Sequence, residues 1–102
     1  MKCTMFIAGM VAMFGISSAQ AAGDVQAGNA KATAAGCVAC HGANGQGVAP
    51  NPALAGKSED QLAQALKDYK SGKRDNAVMK TSASPLSDQD IANLAAFYAS
   101  KK

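Results

Sequence analysis

From Ala22 to Lys102 the chain offers very little with which to build a core. Only eleven of those 81 residues are Leu, Ile, Val or Phe: Val25, Val38, Val48, Leu54, Leu62, Leu66, Val78, Leu86, Ile91, Leu94 and Phe97. That share falls below the roughly 20% under which chains tend to stay disordered. A domain this short is already poor in buried surface. Yet the same stretch carries clear helix signals, so it is built to fold. Something other than side chains must supply the missing apolar volume.

The count starts at Ala22 because the residues before it read as an export signal. Met1-Lys2 is followed by an apolar run from Met5 to Ile16 and then by Ser17-Ser18-Ala19-Gln20-Ala21. Ala19 and Ala21 form the A-x-A pattern that signal peptidase reads, which predicts cleavage after Ala21. The expected organisation is a leader over 1–21 and one domain over 22–102. A membrane span needs about 20 apolar residues, and this run is shorter. Cys3 precedes the run, where a lipid attachment cysteine would follow it. The expectation is therefore a periplasmic protein without a stable membrane anchor. Beyond Ala21, nine Lys and Arg face seven Asp and Glu. With no basic tail and no alternation of basic and aromatic residues, nucleic acid is not an expected partner.

Periodicity predicts helices and no strands. Asp24 is a candidate N-cap and Gly36 a candidate C-cap for a first helix over 24–35. Residues 41–56 hold four glycines and two prolines, too many breakers for a helix or strand. Ser58 and Gln61 form a capping box, and Leu62, Ala65, Leu66 and Tyr69 follow as one helical stripe that Gly72 ends. Residues 73–86 show no period and are expected to lack regular structure. Ser87 caps a last helix, stapled by Leu86 and Ile91 and striped by Ile91, Leu94, Ala95 and Tyr98. The expected fold class is all-α.

Loss of the leader leaves one methionine, Met79, two cysteines, Cys37 and Cys40, and the only histidine, His41. Cys37-Val38-Ala39-Cys40-His41 is C-x-x-C-H, the attachment pattern of c-type haem. Two thiols at this spacing can add to the two vinyl groups of one porphyrin. The histidine that follows is then held beneath the iron as its proximal ligand. A structural zinc site needs four ligands, and only three Cys or His side chains are present, crowded into five residues. A thioredoxin-like dithiol belongs after a strand, and none is expected. A plain disulfide leaves the thin core unexplained. Haem accounts for both the motif and the missing volume. For a sixth iron ligand the candidate is Met79, which lies outside every helical stripe and is the sole thioether. Lys80 and a gap-filling role for Met79 are the alternatives.

With these residues in view, the chain resembles the class I cytochromes c, in particular the small bacterial single-haem forms. The resemblance rests on Ala27-Gly28, the C-x-x-C-H motif followed by Gly42 to Gly47, Pro52-Ala53-Leu54-Ala55-Gly56, Met79, and Leu86 to Ser100. It implies three to four short helices wrapped around one covalent haem. It also implies that the Pro52 carbonyl accepts a hydrogen bond from His41 Nδ1–H and that Leu54 packs in the haem pocket. The terminal helices of the family cross closely, which would put Gly28 against Leu94, Phe97 or Tyr98. The aromatic usual one turn after that glycine is replaced here by Lys31, Ala32 and Thr33, so a looser or differently made crossing is expected.

The functional expectation is a periplasmic electron-transfer protein. It would carry single electrons on one haem c, its iron held by His41 and Met79, between respiratory or photosynthetic partners. Those partners would be an oxidase, a reductase, a reaction centre or a dehydrogenase, met by a monomer. The alternative is a haem-bearing subunit of a periplasmic dehydrogenase complex. A peroxidase would need a distal acid–base group, and no second histidine exists to supply it.

Overall fold

Asp24 accepts hydrogen bonds from the backbone N–H groups of Gln26 and Ala27, at 2.9 and 3.2 Å, and so opens helix α1 (Val25–Ala34). The computed structural model describes residues 23–101. The expected leader and its cleavage site therefore lie outside the described residues. Helix α1 ends with Ala35 as its C-cap, one residue before the position expected from sequence. Gly36 follows at φ +84°, a left-handed conformation that glycine adopts without steric cost. It turns the chain directly into α2 (Cys37–His41).

The two helices with clear stripes form as expected. Helix α3 (Glu59–Ser71) starts from the reciprocal Ser58–Gln61 capping box and stops at Gly72, φ +87°. Helix α5 (Asp88–Ala99) starts from a second box, in which Ser87 Oγ accepts from Asp90 N–H and Asp90 Oδ2 accepts from Ser87 N–H, both at 3.0 Å. Seven of its twelve residues are buried, including Ile91, Leu94, Phe97 and Tyr98. α1 and α3 both pack against it.

Residues 73–86 correct the expectation of irregular chain. They contain α4 (Ala77–Ala83), capped by Asn76. Only Ala83 of this helix is buried. With one buried position in seven there is no apolar stripe for a periodicity reading to detect. Five helices are thus present among the described residues, against the three to four expected, and no strand. The fold is all-α.

The crossing of α1 over α5 is tighter than the missing aromatic suggested. A Cβ placed on Gly28 would fall 2.0 Å from the Asn93 carbonyl oxygen and 2.7 Å from Phe97 Cβ. Phe97 is therefore the expected neighbour, with the Asn93 backbone in place of Leu94 or Tyr98. Gly23 makes a second approach of the same kind on Ala92. Asn93 is buried and accepts from Asp24 N–H at 2.8 Å and from Gln89 Nε2 at 2.9 Å. Ala32 is completely buried. Bare backbone makes the contact at the crossing.

Candidate functional site

The cysteine motif lies on α2, where residues i, i+3 and i+4 share one face. Cys37, Cys40 and His41 occupy those three positions, and both thiols are free. They open onto a cleft of about 850 Å³, towards the upper end of the range for cofactor sites. Burial pushes the Cys37 thiol up, its own backbone hydrogen bond opposes this, and Cys40 adds a smaller upward push.

His41 is 6% exposed. Its Nδ1–H donates to the Pro52 carbonyl oxygen at 2.7 Å. A carbonyl can only accept, so this bond places a proton on Nδ1, and Nε2 is the ring nitrogen left to face a ligand. The loop that delivers Pro52 is held by its backbone. Gly45 O accepts from Leu54 N–H at 2.7 Å and Ala55 N–H at 2.9 Å, while Gly47 N–H donates to His41 O at 2.8 Å. Asn51 Nδ2 adds a bond to Cys40 O at 3.0 Å. A Cβ on Gly47 would lie 2.9 Å from the Ala53 backbone, and its φ is +90°, so the fold-back requires glycine there. Leu54 is half-buried, packs against the core and lines the cleft.

Met79 lines the same cleft from α4 and is half-buried. Lys80, the alternative donor, is exposed and is not among the lining residues. α3 and α5 add Leu62, Ala65, Leu66 and Tyr69, then Leu94, Ala95 and Tyr98, and polar side chains including Gln61, Asp68, Arg74 and Asn76 also line the cleft. The structure thus brings Cys37, Cys40, His41, Pro52, Leu54 and Met79 to one cavity.

Tyr98 was read from sequence only as part of an apolar stripe. It is 3% exposed, it lines the cleft, and its hydroxyl is buried with no hydrogen-bond partner among the described residues. Desolvation, with a smaller contribution from Cys37, pushes its pKa up to about 12. Tyrosine in place of phenylalanine in a buried stripe was the available signal, since a buried hydroxyl normally has a partner. A large cleft lined by apolar side chains among polar ones, with two free thiols, an imidazole, a thioether and one orphaned hydroxyl, fits a haem.

The family model for cytochrome c matches residues 25–101. Cytochrome c4 of Pseudomonas aeruginosa is 52% identical over 85 residues, covering 82% of this chain and 41% of that protein. Cytochrome c-554(548) of Halomonas halodenitrificans is 46% identical over 85 residues, covering 79% of this chain and 100% of its own length. A thiosulfate dehydrogenase electron acceptor of Thiomonas intermedia is 46% identical over 71 residues, covering 68% of this chain and 33% of that protein. Among solved structures, reduced recombinant cytochrome c4 from Pseudomonas stutzeri superposes with a TM-score of 0.72 at 40% identity, covering 79% of this chain and 47% of the other. The chain therefore spans less than half of cytochrome c4 but the whole of cytochrome c-554(548). It belongs to the cytochrome c family. Membership implies a covalently bound haem c with its iron, and Cys37, Cys40 and His41 supply the C-x-x-C-H motif that such attachment uses.

Proposed function

We propose that this cytochrome c is a carrier of single electrons rather than an enzyme. The observation that carries the reading is that His41 and Met79 line one cleft from separate segments of chain. Haem c supplies the one-electron couple. Cys37 and Cys40 hold it as thioethers, and His41 Nε2 is the proximal ligand. The Pro52 carbonyl fixes the imidazole ring and raises its basicity. Leu54 packs in the haem pocket. Met79 sulfur is the sixth ligand, and a thioether there favours the ferrous state and raises the potential. With His41 and Met79 both holding the iron, no open position would be left for a substrate.

The expected setting is the periplasm, reached through a leader over 1–21 cleaved after Ala21. Among the described residues no helix is long and apolar enough to cross a membrane. The expected partners are redox proteins: an oxidase, a reductase, a reaction centre or a dehydrogenase. The relative named as an electron acceptor of thiosulfate dehydrogenase favours an oxidoreductase as the donor.

Optical spectra of the purified protein, oxidised and reduced, with and without carbon monoxide, test the reading. The carrier reading expects six-coordinate low-spin haem in both states and slow binding of carbon monoxide. A high-spin ferrous form that binds it at once would replace the carrier with a gas-binding or enzymatic site.

A further inference from the structure

Met79 reaches the cleft from a short and mostly solvated helix. α4 has seven residues, of which only Ala83 is buried, and Val78 is 68% exposed. A helix that short does not persist unaided. Its first turn is closed by Asn76. Asn76 Oδ1 accepts from Met79 N–H at 3.0 Å, and the Asn76 carbonyl accepts from Lys80 N–H at 2.8 Å. The side-chain cap thus lands on the residue that carries the thioether, and Asn76 itself lines the cleft. Opening this turn exposes few apolar groups, which places it at the low-energy end of local unfolding.

We propose that Asn76 is a positioning residue for Met79, and that its cap bond sets how often the first turn of α4 opens and lets the thioether leave the iron. This rests on the reading of Met79 as the sixth ligand. Loss of the cap raises the population in which the distal position is free. It leaves the α1–α5 crossing and the His41–Pro52 bond untouched.

The test is cyanide binding to the ferric, haem-loaded protein. The variants are Asn76→Ala, Asn76→Gly, Asn76→Ser and Asn76→Asp, with Asp24→Ala as a control. Asp24 caps α1, which contributes nothing to the cleft lining. Asn76→Ala should bind cyanide roughly fivefold more readily, the factor of a typical lost N-cap. Glycine should give a smaller rise, and serine and aspartate should stay near the wild type, in the order of cap preference. Asp24→Ala should lower the melting temperature and leave cyanide binding unchanged. The sulfur-to-iron absorption band should persist in every variant before cyanide is added. Three results overturn the proposal: wild-type binding in Asn76→Ala, an equal rise in Asp24→Ala, or no recovery with serine and aspartate. A band missing from the wild-type protein is a different failure. It removes Met79 as the ligand and takes the proposal with it.

Discussion

The α1–α5 crossing and the α4 segment lie in one small domain and are held together by opposite means. At the crossing, Gly28 brings bare backbone against Asn93, Ala32 is fully buried, and α5 buries seven residues. Lys31 Nζ and Asp90 Oδ2, 3.5 Å apart, tie the two helices at the surface. α4 has one buried residue, and a single side-chain bond closes its first turn. The crossing is a closely packed scaffold, while α4 is a short arm that brings Met79 to the cleft. If Met79 is the sixth ligand, an electron carrier would use both: a packed frame, and a ligand whose hold on the iron sets the potential. The difference also divides the mutational effects. Changes at the crossing should act on stability with the haem spectrum intact, whereas changes on α4 should act on the spectrum first.

The largest expected effect removes the haem that the cleft would hold. Ile91 and Leu94 are the largest side chains that are completely buried. That is a small core, so a Cys37→Ala, Cys40→Ala protein without haem should show little helical circular dichroism and no cooperative melting. Stability linked to a bound group is lost with the group. A sharp thermal transition in that apoprotein would show that the side chains suffice.

Gly28→Ala comes next. Its added methyl meets a backbone carbonyl, which cannot rotate aside, and overpacking of a tight site costs about 1–3 kcal/mol. The gain in helix propensity, about 1 kcal/mol, offsets part of this. The melting temperature should fall while the visible spectrum of the folded protein stays unchanged. A neutral substitution would mean that α1 can lift off α5, and the contrast between the two regions would weaken.

The smallest effect concerns acid. Hydrogen bonds from the Ser87 backbone, then the Ser87 hydroxyl and the charge of Lys31, hold the Asp90 carboxyl below its ordinary range, against a smaller opposing push from desolvation. Its contribution to stability is therefore present above the unfolded carboxylate pKa of about 4 and is lost as pH falls through the lowered folded value. Asp90→Asn should melt slightly lower than the wild type at neutral pH. The two curves should converge in acid. The pair is partly exposed and screened by solvent, so the neutral-pH difference should be a few tenths of a kcal/mol. Parallel curves at all pH values would remove Asp90 from the fastening of the crossing.

What could be read in the sequence follows the same division. α3 and α5 each bury one face and begin at capping boxes, so both period and cap were visible. The C-x-x-C-H pattern is local, and its chemistry depends on spacing alone. The approach of Pro52 to His41 came from family resemblance, because the loop of ten residues between them carries no periodic signal. α4 escaped detection since it is short and mostly solvated, although Asn76 three residues before Met79 was a usable cap signal. The close contact of Gly28 with Phe97 came from the family resemblance, whereas the part played by the Asn93 backbone has no periodic signal. The Tyr98 hydroxyl was hidden inside an apolar stripe.

The most direct measurement of the central claim is the near-infrared absorption and the reduction potential of the ferric protein before and after Met79→Ala. If His41 and Met79 hold the iron together, the wild type shows the weak sulfur-to-iron band. The variant should lose it, titrate at a lower potential and bind cyanide or carbon monoxide freely. A Met79 that only fills space would give the reverse: a cavity costing roughly 2–5 kcal/mol of stability, with band and potential preserved. That result would contradict the electron-carrier account at its iron centre.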